Sequence, residues 1–505
     1  MKSLLGLWIA IAAATSTAGA AAEPAATATP PAATPLRPTP AKLHRALMEA
    51  LACATPGLAG SLIGFDVIQL STGRTLAQYN HQNQFIPASN AKLYTTAAAL
   101  TRLGPDYRYE TRVASATAPD DKGRLKGDLI FIGSGDPTLA SRVYPLQSPR
   151  GGLQDIEALA DQIVAAGVKR IDGSVIGDDT AYPSDPYPMG WSLDDSIWDY
   201  GAPVSALTIH DNLISIKLAA PMAAGALTRV AIDPALEYFT IDNRSTAGAE
   251  TKVKIERLPG SRQILVSGTV AAGATFTDGL AIDDPARYAA TALADALERR
   301  GVSIRGGITS RSRSAEETPD PINAPVTLAT HRSGTLPSIL MVIDKISHNL
   351  YAEMVLREVG RVVNGSATRQ AGLSEVYKLI WESGTRTECC YFQDGSGLSR
   401  QTLISPQSSA RLLQYMYRSK YRDLWWSLLP IGGVDGTLRR HFENQPQGKR
   451  LRAKSGSFAH VATMSGYVES TTWGLVAFSF LINNYNAETA EATLMLDKLG
   501  LALLE

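Results

Sequence analysis

A chain of 505 residues with 48 basic and 48 acidic side chains has no formal net charge, and 45% of it is apolar. That length allows two to four domains with sizeable cores. The charge balance argues against nucleic acid or an anionic membrane surface as the main partner, since both would call for a basic excess.

The first twenty residues carry three parts of an export signal: Lys2, an apolar run from Leu4 to Ala14, and the small-residue site Ala18-Gly19-Ala20. The apolar run is far short of the ~20 residues that a membrane span requires. The chain is therefore expected to be exported and periplasmic, with no transmembrane span after signal removal. Residues 21–40, rich in Ala, Pro and Thr, read as a linker.

Residues 41 to 53 show amphipathic helical spacing through Leu43, Leu47, Ala50 and Leu51. Ser61 to Leu70 and Thr75 to Tyr79 alternate as two strands around the turn Ser71-Thr72-Gly73. Phe85 to Gly104 then reads as one helix of about four turns, stopped by Gly104 and Pro105. Ser89 and Lys92 lie three apart and would share one helical face. A serine hydroxyl attacks only when a base takes its proton, and a lysine of lowered pKa can be that base. On its own this pair is an ordinary coincidence of common residues.

Residues 106–325 read as an inserted accessory region in two modules, about 106–180 with 275–325, and 181–274. Within it Asp128 to Ile132, Arg170 to Ile176, Leu213 to Leu218 and Gln263 to Gly268 are expected strands, and Leu153 to Ala166 and Ala286 to Arg300 expected helices. The stretch Tyr182 to Tyr200, with Trp191, Asp194, Asp195 and Trp198, is the part expected nearest solvent or substrate. Residues 41–105 and 326–505 would together form the catalytic domain.

In that second segment Ser347-His348-Asn349 falls between two helical patterns, Leu336 to Ile346 and Leu350 to Val359. The hydroxyl of Ser347 could pass a proton and the amide of Asn349 could grip a peptide carbonyl or orient a lysine. Further on, Leu451 to Ser457 precedes strand patterns at Thr463 to Val468 and Leu475 to Ile482, and Ala487 to Leu503 closes as a helix. There Lys454 offers a cation for a carboxylate, Ser455 a hydroxyl, and Gly456 close access to the backbone. The N–H groups of Ser457 and Ser89 could form an oxyanion hole.

Nothing here asks for a cofactor. The histidines lack H-E-x-x-H or other ligand spacing, and GSGDP and GGVDG lack the G-K-[ST] ending of a phosphate cradle. The three cysteines, Cys53, Cys389 and Cys390, could include one oxidised pair or be three small buried hydrophobes. A vicinal bond would be strained, so Cys53 with one of the adjacent pair is the better candidate if a bridge forms.

The order Ser89-x-x-Lys92, Ser347-x-Asn349, Lys454-Ser455-Gly456 is that of the active-site serine penicillin-recognising enzymes. A first gap more than twice the second resembles the class C penicillin-binding proteins of low molecular mass, the penicillin-binding protein 4-like D-alanyl-D-alanine carboxypeptidases/endopeptidases. Also similar are GPDYRYETRV at 104–113, GDLIFIGSGDPTL at 127–139, DGSGLSR at 394–400, GGVDGTL at 432–438 and SGYV at 465–468. The resemblance runs from about residue 43 to the end. The third motif departs from it, reading K-S-G where K-T-G is usual, and His348 occupies a permissive position.

The resemblance implies an α+β fold: a penicillin-recognising, transpeptidase-like core, its antiparallel sheet covered by helices, with inserted accessory domains. It also implies that Ser89 attacks the bond between two D-alanines with Lys92 as base and Ser347 as proton relay. Asn349 would then hold the substrate amide, and Lys454 and Ser455 the terminal carboxylate. Peptidoglycan peptides would be substrates and β-lactams covalent inhibitors. A β-lactamase or esterase of the same fold, a transpeptidase, and a catalytically idle peptidoglycan-binding protein are the alternatives.

Overall fold

The computed structural model describes residues 39–52, 55–140, 142, 153–317 and 322–504. The expected export signal, most of the linker and Cys53 lie outside the described residues.

Strict two-residue alternation in the last strands builds the central layer. Met464, Val468, Phe478, Phe480 and Ile482 face one side with Phe65 and Val67, whereas Tyr467, Ala477 and Leu481 face the other. The sheet has the order Leu451–Phe458, Val461–Ser470, Gly474–Asn483, Leu62–Gln69, Thr75–Tyr79, and every neighbouring pair is antiparallel. The helices Pro40–Ala52 and Thr489–Leu504 cover the first face through Leu43, Leu47, Leu496 and Leu499. Five helices, among them Lys92–Leu103, Leu336–Ile346, Asn349–Asn364 and Pro406–Arg418, pack with Arg369–Glu382 into the core beneath the second face. The expected α+β core, a helix-covered antiparallel sheet, is therefore present.

The intervening chain builds other sheets. One has the order Ile308–Arg311, Val175–Asp178, Leu129–Ile132, Glu110–Ser115, Val326–Arg332, and the helices Gln154–Ala165 and Pro285–Glu298 share its core. Another sets Leu213–Ala219 between Arg229–Asp233 and Thr275–Ala281. A third gathers three short strands around Gln263–Ala271.

Two strands cross the boundaries drawn from sequence. Val326–Arg332, assigned to the second catalytic segment, pairs with Glu110–Ser115, and Thr275–Ala281, assigned to the first module, pairs with Leu213–Ala219. Strand partners are long-range choices that a local change of composition does not mark. The single strand expected over 170–176 is two, Arg170–Ile171 and Val175–Asp178. The break falls at Gly173, whose N–H donates to Gly127 O and where a Cβ would sit 2.4 Å from that carbonyl.

Candidate active site

The stretch around Ser89 is not one helix. Ala88–Ala91 is a 3-10 turn, and the α-helix starts at Lys92. Tertiary bonds override the helical pattern here. Phe85 exchanges backbone hydrogen bonds with Ile404, and the Asn483 amide holds both the N–H and the C=O of Ile86. Ala88 has φ 44°, and its carbonyl lies so close to Gly397 that a Cβ there would be 1.8 Å away. Ser89 emerges half-buried on this turn.

Lys92 is fully buried. Its Nζ lies 2.9 Å from Ser89 Oγ, 2.6 Å from Asn349 Oδ1 and 2.6 Å from Ser396 O. Burial, then the like charge of Lys454, pushes its amine well below the usual lysine range, while Asp394, Glu353 and Asp344 pull it back up. A neutral amine has two protons and one lone pair. In that form, with Asn349 Oδ1 and Ser396 O taking the two protons, the lone pair would be left for the Ser89 hydroxyl.

The other two motifs close on the same point. Lys454 Nζ donates to Ser347 Oγ at 2.9 Å and to Ser455 O at 2.7 Å, and burial lowers its pKa to about 8 against the pull of Asp344. Ser455 Oγ donates to Thr437 Oγ1 at 2.7 Å. A cleft of about 230 Å³ is lined by Ser89, Ser347, Thr437, Ser455, Gly456 and Ser457. Gly456, which lines this cleft, also makes room for the nucleophile motif. A Cβ there would fall 2.6 Å from Ser89 N and 2.7 Å from Thr463 Oγ1, so its bare backbone admits the Ser89 turn. His348 has both ring nitrogens engaged, Nδ1 accepting from Tyr351 N–H and Nε2 lying 3.3 Å from Asp211 Oδ2. The structure thus brings Ser89, Lys92, Ser347, Asn349, Lys454, Ser455, Gly456 and Ser457 to one place.

Several contributors carry no signal in the sequence. Ser396 acts through its carbonyl, and Glu353 Oε1 holds that loop by accepting from Gly395 N–H and Ser396 N–H at 2.9 and 2.8 Å. Buried Asp344 is pushed up to about 7 by burial, opposed by Lys454, Thr96, Lys92 and Lys345. Asn349 Nδ2 donates to Tyr200 O at 2.8 Å. From the inserted stretch, Trp191 Nε1 donates to Asp394 Oδ2 at 3.1 Å, and Asp195 pairs with Arg400 at 3.0 Å. Tyr182, expected at the solvent or substrate side, is instead buried, its hydroxyl donating to Met354 O.

Among the described residues, no cluster of three or more His, Cys, Asp or Glu is placed to hold a metal ion, and no helix is long and apolar enough to cross a membrane. Cys389 and Cys390 are free thiols.

The sequence profile of the D-Ala-D-Ala carboxypeptidase 3 (S13) family matches residues 44–499. The chain belongs to that family. It is 32% identical over 450 residues to a D-alanyl-D-alanine carboxypeptidase of Actinomadura sp. (strain R39), an alignment covering 85% of this chain and 79% of that protein. It is 26% identical to D-alanyl-D-alanine carboxypeptidase DacB of Haemophilus influenzae, covering 86% and 88% of the two chains. The crystal structure of penicillin binding protein 4 from Haemophilus influenzae superposes with a TM-score of 0.77 at 24% identity, covering 90% of this chain and 98% of the other. The S13 fold with its inserted sheets is therefore shared over nearly the whole described chain. Within the family this chain is a penicillin-binding protein 4-like protein of low molecular mass, as its motif order implied.

Proposed function

We propose that this S13 carboxypeptidase works through an acyl-enzyme on Ser89, that it acts on peptidoglycan stem peptides and on their cross-links, and that penicillins acylate it. The observation that carries the reading is the Lys92 amine, 2.9 Å from Ser89 Oγ with its two other partners both acceptors. Lys92 takes the Ser89 proton as Oγ bonds to the carbonyl carbon of the penultimate D-alanine. The N–H groups of Ser89 and Ser457 receive the oxyanion. The C–N bond then breaks, the proton taken by Lys92 reaches the departing amine by relay through Ser347, which gives up one proton and regains one, and D-alanine leaves. Water adds to the ester, returning the proton to Ser89 and releasing the shortened peptide.

Lys454, with the Ser455 and Thr437 hydroxyls, suits the terminal carboxylate, and Asn349 the substrate amide. Serine in place of threonine at 455 keeps the hydroxyl that this binding needs. The inserted region, about 106–325, walls the cleft and presents cross-linked peptides for endopeptidase cleavage. The signal pattern of residues 1–20 supports export to the periplasm. A crystal structure of the Haemophilus influenzae penicillin binding protein 4 is described as complexed with a novel β-lactam, which favours the same chemistry here.

Purified protein incubated with a fluorescent penicillin should be labelled at Ser89, and Ser89→Ala should abolish both the label and D-alanine release from a pentapeptide. Label on the alanine variant would sink the reading. Rapid loss of label with penicillin hydrolysis would favour a β-lactamase instead, and absence of any turnover a binding protein. Release of monomers from a cross-linked muropeptide tests the endopeptidase part.

A further inference from the structure

Three consecutive residues of the inserted region, His210, Asp211 and Asn212, have φ of 50°, 56° and 56°. Residues other than glycine enter this left-handed region singly, because the Cβ crowds the following carbonyl. Such backbone persists only where its surroundings over-determine it, and it gathers at functional sites. Here His210 N–H donates to Leu139 O at 2.8 Å and Asn212 N–H to Ile209 O at 2.8 Å, while Asn212 O accepts from Ile282 N–H at 2.9 Å. Asn212 Nδ2 also donates to Pro203 O at 2.9 Å.

What this turn delivers is Asp211, whose side chain is 1% exposed and lies 3.3 Å from His348 Nε2. Arg142 pairs with the same carboxylate oxygen. Burial works against the charge on Asp211, yet His348, Arg142 and His210 hold its carboxyl below the usual range. His348 is the middle residue of the Ser347-His348-Asn349 motif. Because Nδ1 accepts the Tyr351 N–H, the ring proton belongs on Nε2, facing Asp211. The imidazole also packs against the Tyr351 ring, tilted by 48° with ring centroids 4.4 Å apart.

One residue further on, Asn349 Nδ2 is bound to Tyr200 O at 2.8 Å, leaving Oδ1 for Lys92 at 2.6 Å. The inserted region thus grips two successive motif residues. Ser347 beside them is itself left-handed, with φ 65° at the end of its helix. The orientation of the Asn349 amide matters, since an NH₂ turned toward Lys92 would compete for the lone pair that Ser89 needs.

We infer that Asp211 and His348 are positioning residues for acyl transfer, through which the inserted region holds the Ser347–Asn349 turn in register with Lys92. The insert is then part of the acylating centre as well as a wall of its cleft. This inference rests on the reading of Ser89, Lys92 and Asn349 as the acylating machinery.

His348→Asn keeps an acceptor for Tyr351 N–H and breaks the link to Asp211. His348→Gln keeps a donor for Asp211 and gives up the helix cap. His348→Asn and Asp211→Ala are each expected to slow acylation by a fluorescent penicillin on the order of tenfold to a hundredfold, the range for a slightly misplaced catalytic group. The loss should fall on kcat for a pentapeptide, with little change in KM. Asp211→Asn, whose amide oxygen still accepts from His348, and His348→Gln should recover most of the rate. The double variant Asp211→Ala/His348→Asn should be no slower than the worse single one. Should Asp211→Ala fail to fold, His348→Asn with its Gln rescue decides alone. A folded His348→Asn protein acylated at the wild-type rate, or rates that track melting temperature across the set, would overturn the inference. Acylation surviving Ser89→Ala would overturn the reading beneath it and the inference together.

Discussion

The Lys454 ammonium donates to Ser347 Oγ at 2.9 Å, so the third motif is bonded to the second before any substrate arrives. Lys454 is wholly buried, and its pKa is lowered to about 8 by burial, with Asp344 acting in the opposite direction. Its charge therefore fades as pH rises through about 8, and the attraction proposed for a substrate carboxylate would fade with it. KM for a D-alanyl-D-alanine peptide should rise above that pH. Asp344→Asn removes the carboxylate that keeps the proton on Lys454, so the rise should begin at lower pH. Steady-state kinetics of both proteins across the range checks this, and coincident profiles would show that Asp344 does not set the charge of Lys454.

Gly456→Ala should disable acylation without a change of any polar group. The added Cβ meets Ser89 N at 2.6 Å and Pro87 O at 3.0 Å, both backbone atoms of the nucleophile turn. Something must move, and a nucleophile displaced by about 1 Å costs on the order of a hundredfold in rate. Overpacking should add about 1–3 kcal/mol of destabilisation. Stopped-flow penicillin acylation and urea unfolding read the two effects, and a variant within threefold of wild type would show that the turn yields easily.

Arg357 is 1% exposed and pairs at 3.1 Å with Glu353, which is fully buried. Glu353 in turn holds the 395–396 backbone whose Ser396 carbonyl binds Lys92. Arg357→Leu leaves the buried carboxylate without its cation, a loss expected to cost about 3–5 kcal/mol. Urea unfolding should show it, together with slower acylation. A stable variant with unaltered acylation would mean that Glu353 needs no counter-charge.

Cys390 should resist thiol reagents in the native state. It is buried, its Sγ lies 3.1 Å from Ser408 Oγ, and burial pushes its thiol up to about 11. Cys389 is half-buried and should react first. Mass spectrometry after brief alkylation distinguishes the two, and equal labelling of Cys390 would contradict its packing.

The convergence of Ser89, Lys92, Ser347, Asn349 and Lys454 is legible in the sequence by residue type, order and spacing, and the alternation from Thr463 to Ile482 marks its strands. The Ser396 carbonyl and the Tyr200 carbonyl were not legible, since any residue supplies a carbonyl and only the fold decides where it points. The helix expected from Phe85 loses its first seven residues to bonds with Ile404 and Asn483, over three hundred residues away in sequence. The closeness of Gly456 to the Ser89 turn is not legible for a similar reason: the two are remote in the chain. Pairings of Val326–Arg332 and Thr275–Ala281 belong to the same class of information.

The strand Leu62–Gln69 lies against Gly474–Asn483, the last strand among the described residues. A ribosome makes Ser89 and Lys92 early, but the strand that carries Lys454 and the two that tie it to Leu62–Gln69 come only after residue 450. Contacts of such sequence separation form slowly and late. An incomplete chain therefore has a serine and a lysine but no cleft to hold a substrate against them. A chain that stops before Gly474–Asn483 lacks the strand that joins Leu62–Gln69 to Val461–Ser470, and with it the layer that sets Lys454 against the Ser89 turn.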